Sequence, residues 1–213
     1  MPALLLVIIE IQRVENVIQV QGCAWQKVPK QAGVTNLDPT ILDTKQWVER
    51  VVIGLNLCPF ARQPVADDQL RYAKTSATEP HEILADLVGE LMILGRSSAP
   101  QTTLLIIDNA LTDFEDYLDL FTAAEALIER TGHARQYQLV SFHPDYQFAG
   151  SAPDDVANHT NRSPHPTIHI LRRADVARAI HSHEDVASIP QDNIARLRAM
   201  GIDALRMLLT GVP

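Results

Sequence analysis

The sequence is poor in several features that define large classes of proteins. Its 213 residues contain only two cysteines, Cys23 and Cys58, too few for a disulfide framework or a four-cysteine metal site. Acidic residues outnumber basic ones by 26 to 18, which gives a net charge of −8, and no basic patch typical of nucleic-acid binding is present. Gly150 stands alone, without the glycine-rich motif of a phosphate-binding loop. We therefore expect no nucleic-acid partner.

The sequence also lacks a long apolar run. The run over residues 3–9 is seven residues long, whereas a membrane span needs about 20. It lacks the basic flank and cleavage site of a secretory signal. We therefore expect a cytoplasmic protein without a membrane partner. Residues 1–33 are predicted to be an extension, either disordered or upstream of a true start at Val34, although residues 4–11 also fit an extra strand.

From Asp38 onward, helical and strand patterns alternate. Apolar residues at helical spacing predict helices over residues 39–55, 78–95, 113–130, 174–180 and 189–209. Short runs rich in apolar and β-branched residues predict strands over 69–73, 102–107, 137–142 and 167–171. The sequence predicts the α/β class: residues 34–213 form a single domain with a mixed or mostly parallel sheet of about four strands, packed with helices.

One segment fits neither pattern. The 24 residues between Phe142 and Thr167 have no helical or strand periodicity, and loops beyond about 12–15 residues are uncommon in compact domains unless they are functional or disordered. Tyr146 and Phe148 are apolar anchors that disordered linkers usually lack. We therefore expect an ordered, functional loop. The alternative is a loop that serves the fold alone.

Three strings carry a resemblance to a known family. LNLCPFA at 55–61, SFHPDYQFA at 141–149 and TNRSP at 160–164 resemble the uncharacterised bacterial family called domain of unknown function 1415, over about residues 37–213. The resemblance implies no reaction, because none is known for the family. The family pattern has His-Pro where this chain has Asp108-Asn109, and often an aromatic residue where it has His165, so these positions are weaker candidates for chemistry.

Four residues are candidates for catalysis. His143 directly follows a buried strand, at the edge of the sheet where ligands bind in α/β proteins, and imidazole titrates near neutral pH. It is predicted to act as acid or base, or else to fix the loop by hydrogen bonds. Asp154 or Asp155 would orient the reacting group or bind a metal. Cys58 is expected to be buried and inert, since the end of a helix does not stabilise a thiolate, and it is a nucleophile only if it lies beside His143 or Arg162.

A second group of candidates would hold a substrate. The Arg162 guanidinium suits a carboxylate or a phosphate, which arginine binds with two parallel hydrogen bonds. Asn161, Asn158 and Tyr146 would add donors and contact surface. The alternative is that Arg162 pairs with a neighbouring aspartate and stabilises the loop itself.

A divalent metal such as zinc or iron is a further hypothesis. His165 and His169 lie four residues apart, which places them on one face of a strand. Asp154, Asp155 or His159 would complete a mixed nitrogen and oxygen site. No established ligand motif is present. His169 alternatively faces solvent or a partner.

Two hypotheses follow for function. The first is a cytoplasmic enzyme that carries out hydrolysis or group transfer on a small anionic metabolite at the 143–166 loop. The second is a non-catalytic ligand-binding or protein-binding module that uses the same loop. A single concave pocket that gathers the candidate residues would favour the enzyme.

Overall fold

The computed structural model describes residues 38–182 and 185–210 of the chain. The predicted extension over residues 1–33, with its alternative strand over residues 4–11, lies outside the described residues. Within the described part, no helix is both long enough and apolar enough to cross a bilayer.

Four strands form one mixed sheet. They are β1 (Leu70–Thr75), β2 (Thr102–Ile107), β3 (Tyr137–Phe142) and β4 (Thr167–Arg172), in the spatial order β1-β2-β4-β3. β1 and β2 are parallel, and β4 runs antiparallel to both β2 and β3. The carboxyl ends of β1, β2 and β3 therefore meet at one edge, where β4 begins. The prediction of a four-stranded mixed sheet is confirmed.

Seven α-helices accompany the sheet in the described part of the chain. They are α1 (Pro39–Trp47), α2 (Arg62–Ala66), α3 (Pro80–Arg96), α4 (Phe114–Arg130), α5 (Arg173–His181), α6 (Ile189–Met200) and α7 (Ile202–Thr210). α1 continues as a π-helical turn, Val48–Ile53. The single helix predicted over 189–209 is in fact two helices, because Gly201 adopts a φ of +77° that ends α6.

A polar cluster fixes the start of α1 against the sheet. The Asp38 side chain caps the helix by accepting the Thr40 amide, and its other oxygen accepts from Lys74 at the end of β1. Asp108, directly after β2, accepts from Lys74 at 3.0 Å and from the Thr40 hydroxyl at 2.6 Å. These contacts lower the pKa of Asp108, the Thr40 hydrogen bond most of all. The cluster holds the start of α1 at the ends of β1 and β2.

Each face of the sheet has its own apolar core. On one face, α3 and α4 pack against the strands through fully buried side chains that include Ile83, Leu87 and Tyr117. On the other face, Leu104 of β2 packs with residues of α1 and the π turn and with Leu197 of α6. Leu205 of α7 belongs to the same core. α1 and α7 are thus held on one side of the sheet, beside the loop that follows β3.

Candidate functional site

The loop between β3 and β4 is ordered around Asn158. This side chain is fully buried, and its oxygen accepts from the Phe148 amide at 3.2 Å and from the Ser151 hydroxyl at 2.7 Å. Its amide nitrogen donates to the Ala152 carbonyl at 2.8 Å. The substrate-binding role predicted for Asn158 therefore has no free polar atoms to use, and the residue acts as the internal centre of the loop.

Asn161 and Tyr146 also anchor the loop. Asn161 is 1% exposed, donates to the Ser141 carbonyl at 3.0 Å, and its own carbonyl accepts from the His143 amide. The Tyr146 ring packs against Phe114 with 5.0 Å between centroids, and burial raises the pKa of its phenol. The structure brings these two candidates to the interior of the loop and not to a ligand surface.

His143 is fully buried beneath the loop. Its Nδ1 accepts the Asp145 amide at 3.0 Å, so the ring proton lies on Nε2, which donates to the Leu111 carbonyl at 2.9 Å. The ring packs against Phe114 and Tyr117, and burial lowers the pKa of the imidazole. Both nitrogens are therefore occupied in the neutral form. The geometry matches the alternative given for this residue, a histidine that fixes the loop.

Arg162 supports the loop and also lines a cavity between α1, the loop and α7. Its Nε donates to the Tyr146 carbonyl at 3.0 Å and one terminal nitrogen donates to the Pro153 carbonyl at 2.7 Å. The other terminal nitrogen lies 3.5 Å from His159 Nε2. Guanidinium has five N–H groups, so donors remain for a ligand. No ion pair joins Arg162 to Asp154 or Asp155 within the described residues.

The two candidate aspartates and the cysteine lie apart from this cavity. Asp155 caps the 3₁₀ turn Val156–Thr160 and forms a 2.6 Å ion pair with Arg198 of α6, which lowers the pKa of the carboxyl. Asp154 is exposed. Cys58 lies before α2, where burial raises the pKa of its thiol, and neither His143 nor Arg162 is among its polar contacts.

The metal hypothesis finds no assembled ligand set. His169 lies on the sheet face, where its Nε2 contacts the Thr102 hydroxyl at 2.7 Å. That hydroxyl donates to the Ile170 carbonyl, so it accepts from the imidazole, and burial lowers the pKa of His169 to about 4. His165 precedes the strand, and Asp155 is paired elsewhere. The part of the chain that the structure describes contains no group of three or more His, Cys, Asp or Glu arranged to hold a metal ion.

A cavity of about 410 Å³ opens between α1, the loop and α7. From α1 and its π turn come Asp43, Gln46, Trp47, Arg50 and Val51. From the loop come Pro144, His159, Arg162, Ser163 and Pro164, and from α7 come Leu208 and Leu209. Of the residues proposed from the sequence for substrate binding, Arg162 alone lines it.

Basic side chains outnumber acidic ones in the cavity lining, although the protein as a whole is acidic. Arg50 is half-buried, and its guanidinium has no hydrogen bond or ion pair to any residue that the structure describes. Burial lowers the pKa of His159 to about 4, and the positive charges of Arg162 and Arg206 lower it further. The lining holds two guanidinium groups, Arg50 and Arg162, against one carboxylate, Asp43, so its charge suits an anion.

Asp43 links the cavity to a histidine outside its lining. Asp43 Oδ2 lies 3.5 Å from His165 Nε2, which is buried and has no hydrogen bond to the described residues. The His165 carbonyl accepts from the Ser163 and Thr167 hydroxyls at 2.6 and 2.8 Å, which fixes the backbone at this point. A carboxylate beside an imidazole is the usual means of orienting a histidine that transfers protons.

Sequence reasoning missed the cavity residues of α1. Asp43, Gln46 and Arg50 are spaced three and four residues apart, so they share one face of a helix. This stripe of polar residues could have been found from the sequence as a candidate binding face. Arg50 also lies in the π turn Val48–Ile53, and π-helical turns are frequent at functional sites.

Residues 40–207 match the family described as "Protein of unknown function (DUF1415)". The match covers most of the chain, so the protein belongs to this family, as the sequence motifs indicate. Comparisons with curated proteins and with solved structures gave no match.

Proposed function

We propose that the protein binds a small organic anion, a carboxylate or a phosphate, in the cavity between α1, the loop and α7. The observation that carries the proposal is the pair of guanidinium groups, Arg50 and Arg162, which come from separate segments and line one cavity. Arg50 has no anionic partner among the described residues. A half-buried guanidinium without a partner is costly, and a ligand carboxylate or phosphate would supply that partner.

The contacts of Arg162 support the same proposal. Two backbone carbonyls hold its guanidinium in place, so little side-chain entropy remains to be lost when a ligand binds. The neutral His159 beside it supplies a further polar group without adding charge. The long loop therefore serves to hold Arg162 and His159 at the cavity.

Isothermal titration with inorganic phosphate and with acetate tests the proposal. Wild-type protein is expected to bind at least one of them, and Arg50→Gln is expected to weaken binding by about tenfold to a hundredfold, the loss of one or two charge-assisted hydrogen bonds. Arg135→Gln is the matched control, because Arg135 is exposed and lies outside the cavity lining. Equal affinities of wild type and Arg50→Gln would contradict the proposal.

A second candidate function is hydrolysis or group transfer on that anion, favoured by the contact between Asp43 and His165. His165 does not line the cavity, so this scheme requires a substrate that extends from the cavity to the imidazole. Asp43 then orients the imidazole through Nε2, and Nδ1 takes a proton from water as the water oxygen attacks phosphorus or a carbonyl carbon. The imidazolium then returns the proton to the leaving group. The 3.5 Å contact would have to tighten when the substrate binds, as catalytic hydrogen bonds often do.

Hydrolysis of p-nitrophenyl phosphate and p-nitrophenyl acetate tests this second candidate. Loss of a general base is expected to lower the rate by about a hundredfold or more in His165→Gln, while the affinity for phosphate is retained. Wild-type rates equal to those of buffer, or an unchanged rate in His165→Gln, would leave binding as the only proposal.

The expected cytoplasmic location and the lack of nucleic-acid and membrane partners remain predictions.

A further inference from the structure

We infer that the ligand of this cavity is amphipathic: an anionic head held by Arg50 and Arg162, joined to an apolar body that lies along α1 and α7. The inference rests on the proposed function and deepens it, because it names the ligand class. It is drawn from the composition of the cavity wall, from the cavity volume and from the position of exposed apolar side chains.

The wall of the cavity is half apolar. The side chains that contribute apolar surface are Trp47, Val51, Pro144, Pro164, Leu208 and Leu209. A site built for a free inorganic anion has no use for this surface, because desolvating it gains nothing unless an apolar group covers it. An apolar ligand body would remove the surface from water at about 25 cal/mol per Å².

The volume of the cavity also indicates an amphipathic ligand. One water molecule takes up about 30 Å³ of liquid, so a phosphate or carboxylate group of two or three times that size fills only a minor part of the cavity. The 410 Å³ observed lies in the range of pockets for small organic molecules, about 300–1,000 Å³. Most of the space is therefore available to a body attached to the anionic head.

Exposed apolar side chains occur on both helices that border the cavity. Leu42, Met207 and Leu209 are 38%, 52% and 38% exposed. Leu42 precedes Asp43 in α1, and Met207 and Leu209 flank Leu208 in α7, so both helices that border the cavity carry exposed apolar surface. Met92, 48% exposed, is the other large apolar side chain exposed in the described residues, and it lies away on α3. Three of the four large apolar side chains exposed in the described residues therefore belong to the two helices that border the cavity.

Matched pairs of probes test the inference. Titration of the full chain compares inorganic phosphate with phenyl phosphate and acetate with hexanoate, with benzyl alcohol as a body without a head. We expect the amphipathic member of at least one pair to bind about tenfold or more tightly than its head alone, and benzyl alcohol to bind more weakly than either. Arg50→Gln should weaken both members of that pair.

A variant of the apolar wall tests the contacts of the ligand body separately from those of the anionic head. Leu209→Ser is expected to reduce the advantage of the amphipathic probe by about threefold or more while the affinity for the head alone is unchanged. Met92→Ser, a substitution of similar exposure outside the cavity, should change neither. Equal affinities for head and amphipathic probe in both pairs would overturn the inference and leave the proposed function intact. If no anion binds, both fail.

A lipid headgroup could present the same chemistry as a free amphipathic anion. Co-sedimentation with vesicles of phosphatidylglycerol, compared with vesicles of phosphatidylcholine, distinguishes the two sources. We expect the soluble probes to bind and neither vesicle to retain the protein. Retention by phosphatidylglycerol that Arg50→Gln abolishes, without any gain for the soluble amphipathic probes, would overturn the inference of a free ligand.

Discussion

Replacing His143 by alanine is expected to destabilise the protein. The side chain is fully buried, and its two ring nitrogens bond the Asp145 amide and the Leu111 carbonyl. Truncating a buried aromatic ring costs about 3–5 kcal/mol, and each buried polar group left without a partner costs about 1–3 kcal/mol. Because both losses arise from the same truncated side chain, they do not add fully, and we expect a loss of about 4 kcal/mol in the free energy of unfolding.

Urea denaturation followed by circular dichroism measures this loss. His143→Phe keeps an aromatic ring but loses both hydrogen bonds, so it should cost about 2 kcal/mol. His81→Ala, on an exposed position of α3, is the control and should stay within about 0.5 kcal/mol of wild type. A loss below about 1 kcal/mol in His143→Ala, together with abolished anion binding, would refute the structural role and restore His143 as a functional residue.

Three further predictions concern the loop and the sheet. Asn158→Ala should cost about 3 kcal/mol in urea unfolding, because it leaves the buried Phe148 amide without a partner and removes the bonds to the Ser151 hydroxyl and the Ala152 carbonyl. A cost near zero would contradict the network. Arg162→Ala should speed proteolysis between β3 and β4 and also abolish anion binding, whereas wild-type cleavage rates would mean that its carbonyl contacts do not hold the loop. The pKa of His169 is about 4 in the folded protein and 6.5 ordinarily, so its contribution to stability should be complete above pH 6.5 and fall as the pH drops below that value. His169→Gln should flatten this fall in the free energy of unfolding, and an unchanged pH profile would contradict a buried neutral imidazole.

The fold could be predicted because nearby residues in the sequence mark where its helices and strands begin and end. Asp38 and Pro39 mark the start of α1, and continuous apolar runs such as Thr102–Ile107 read as buried strands. Strand order depends on contacts between distant segments, which a single sequence does not encode locally. The break at Gly201 was missed because apolar residues on both sides keep helical spacing, and only the positive φ separates α6 from α7.

The site was harder to predict, for a physical reason. The loop is rich in donors and acceptors, but such groups satisfy the backbone of the loop as readily as they bind a ligand. Asn158 and His143 use their polar atoms in this way. Arg162, which does both, was identified, whereas Arg50 was missed because the residues that line the cavity opposite it come from segments far along the chain. A search for polar stripes on helices would have found it.

A crystal soaked with p-bromophenyl phosphate measures the central claim most directly, because bromine scatters anomalously and marks the ligand body. We expect phosphate density within hydrogen-bond distance of the Arg50 and Arg162 guanidinium groups and an anomalous peak on the side of Leu208 and Leu209. An empty cavity at a concentration that saturates binding in solution, or a ligand bound elsewhere on the protein, would contradict the assignment of this cavity as an anion site.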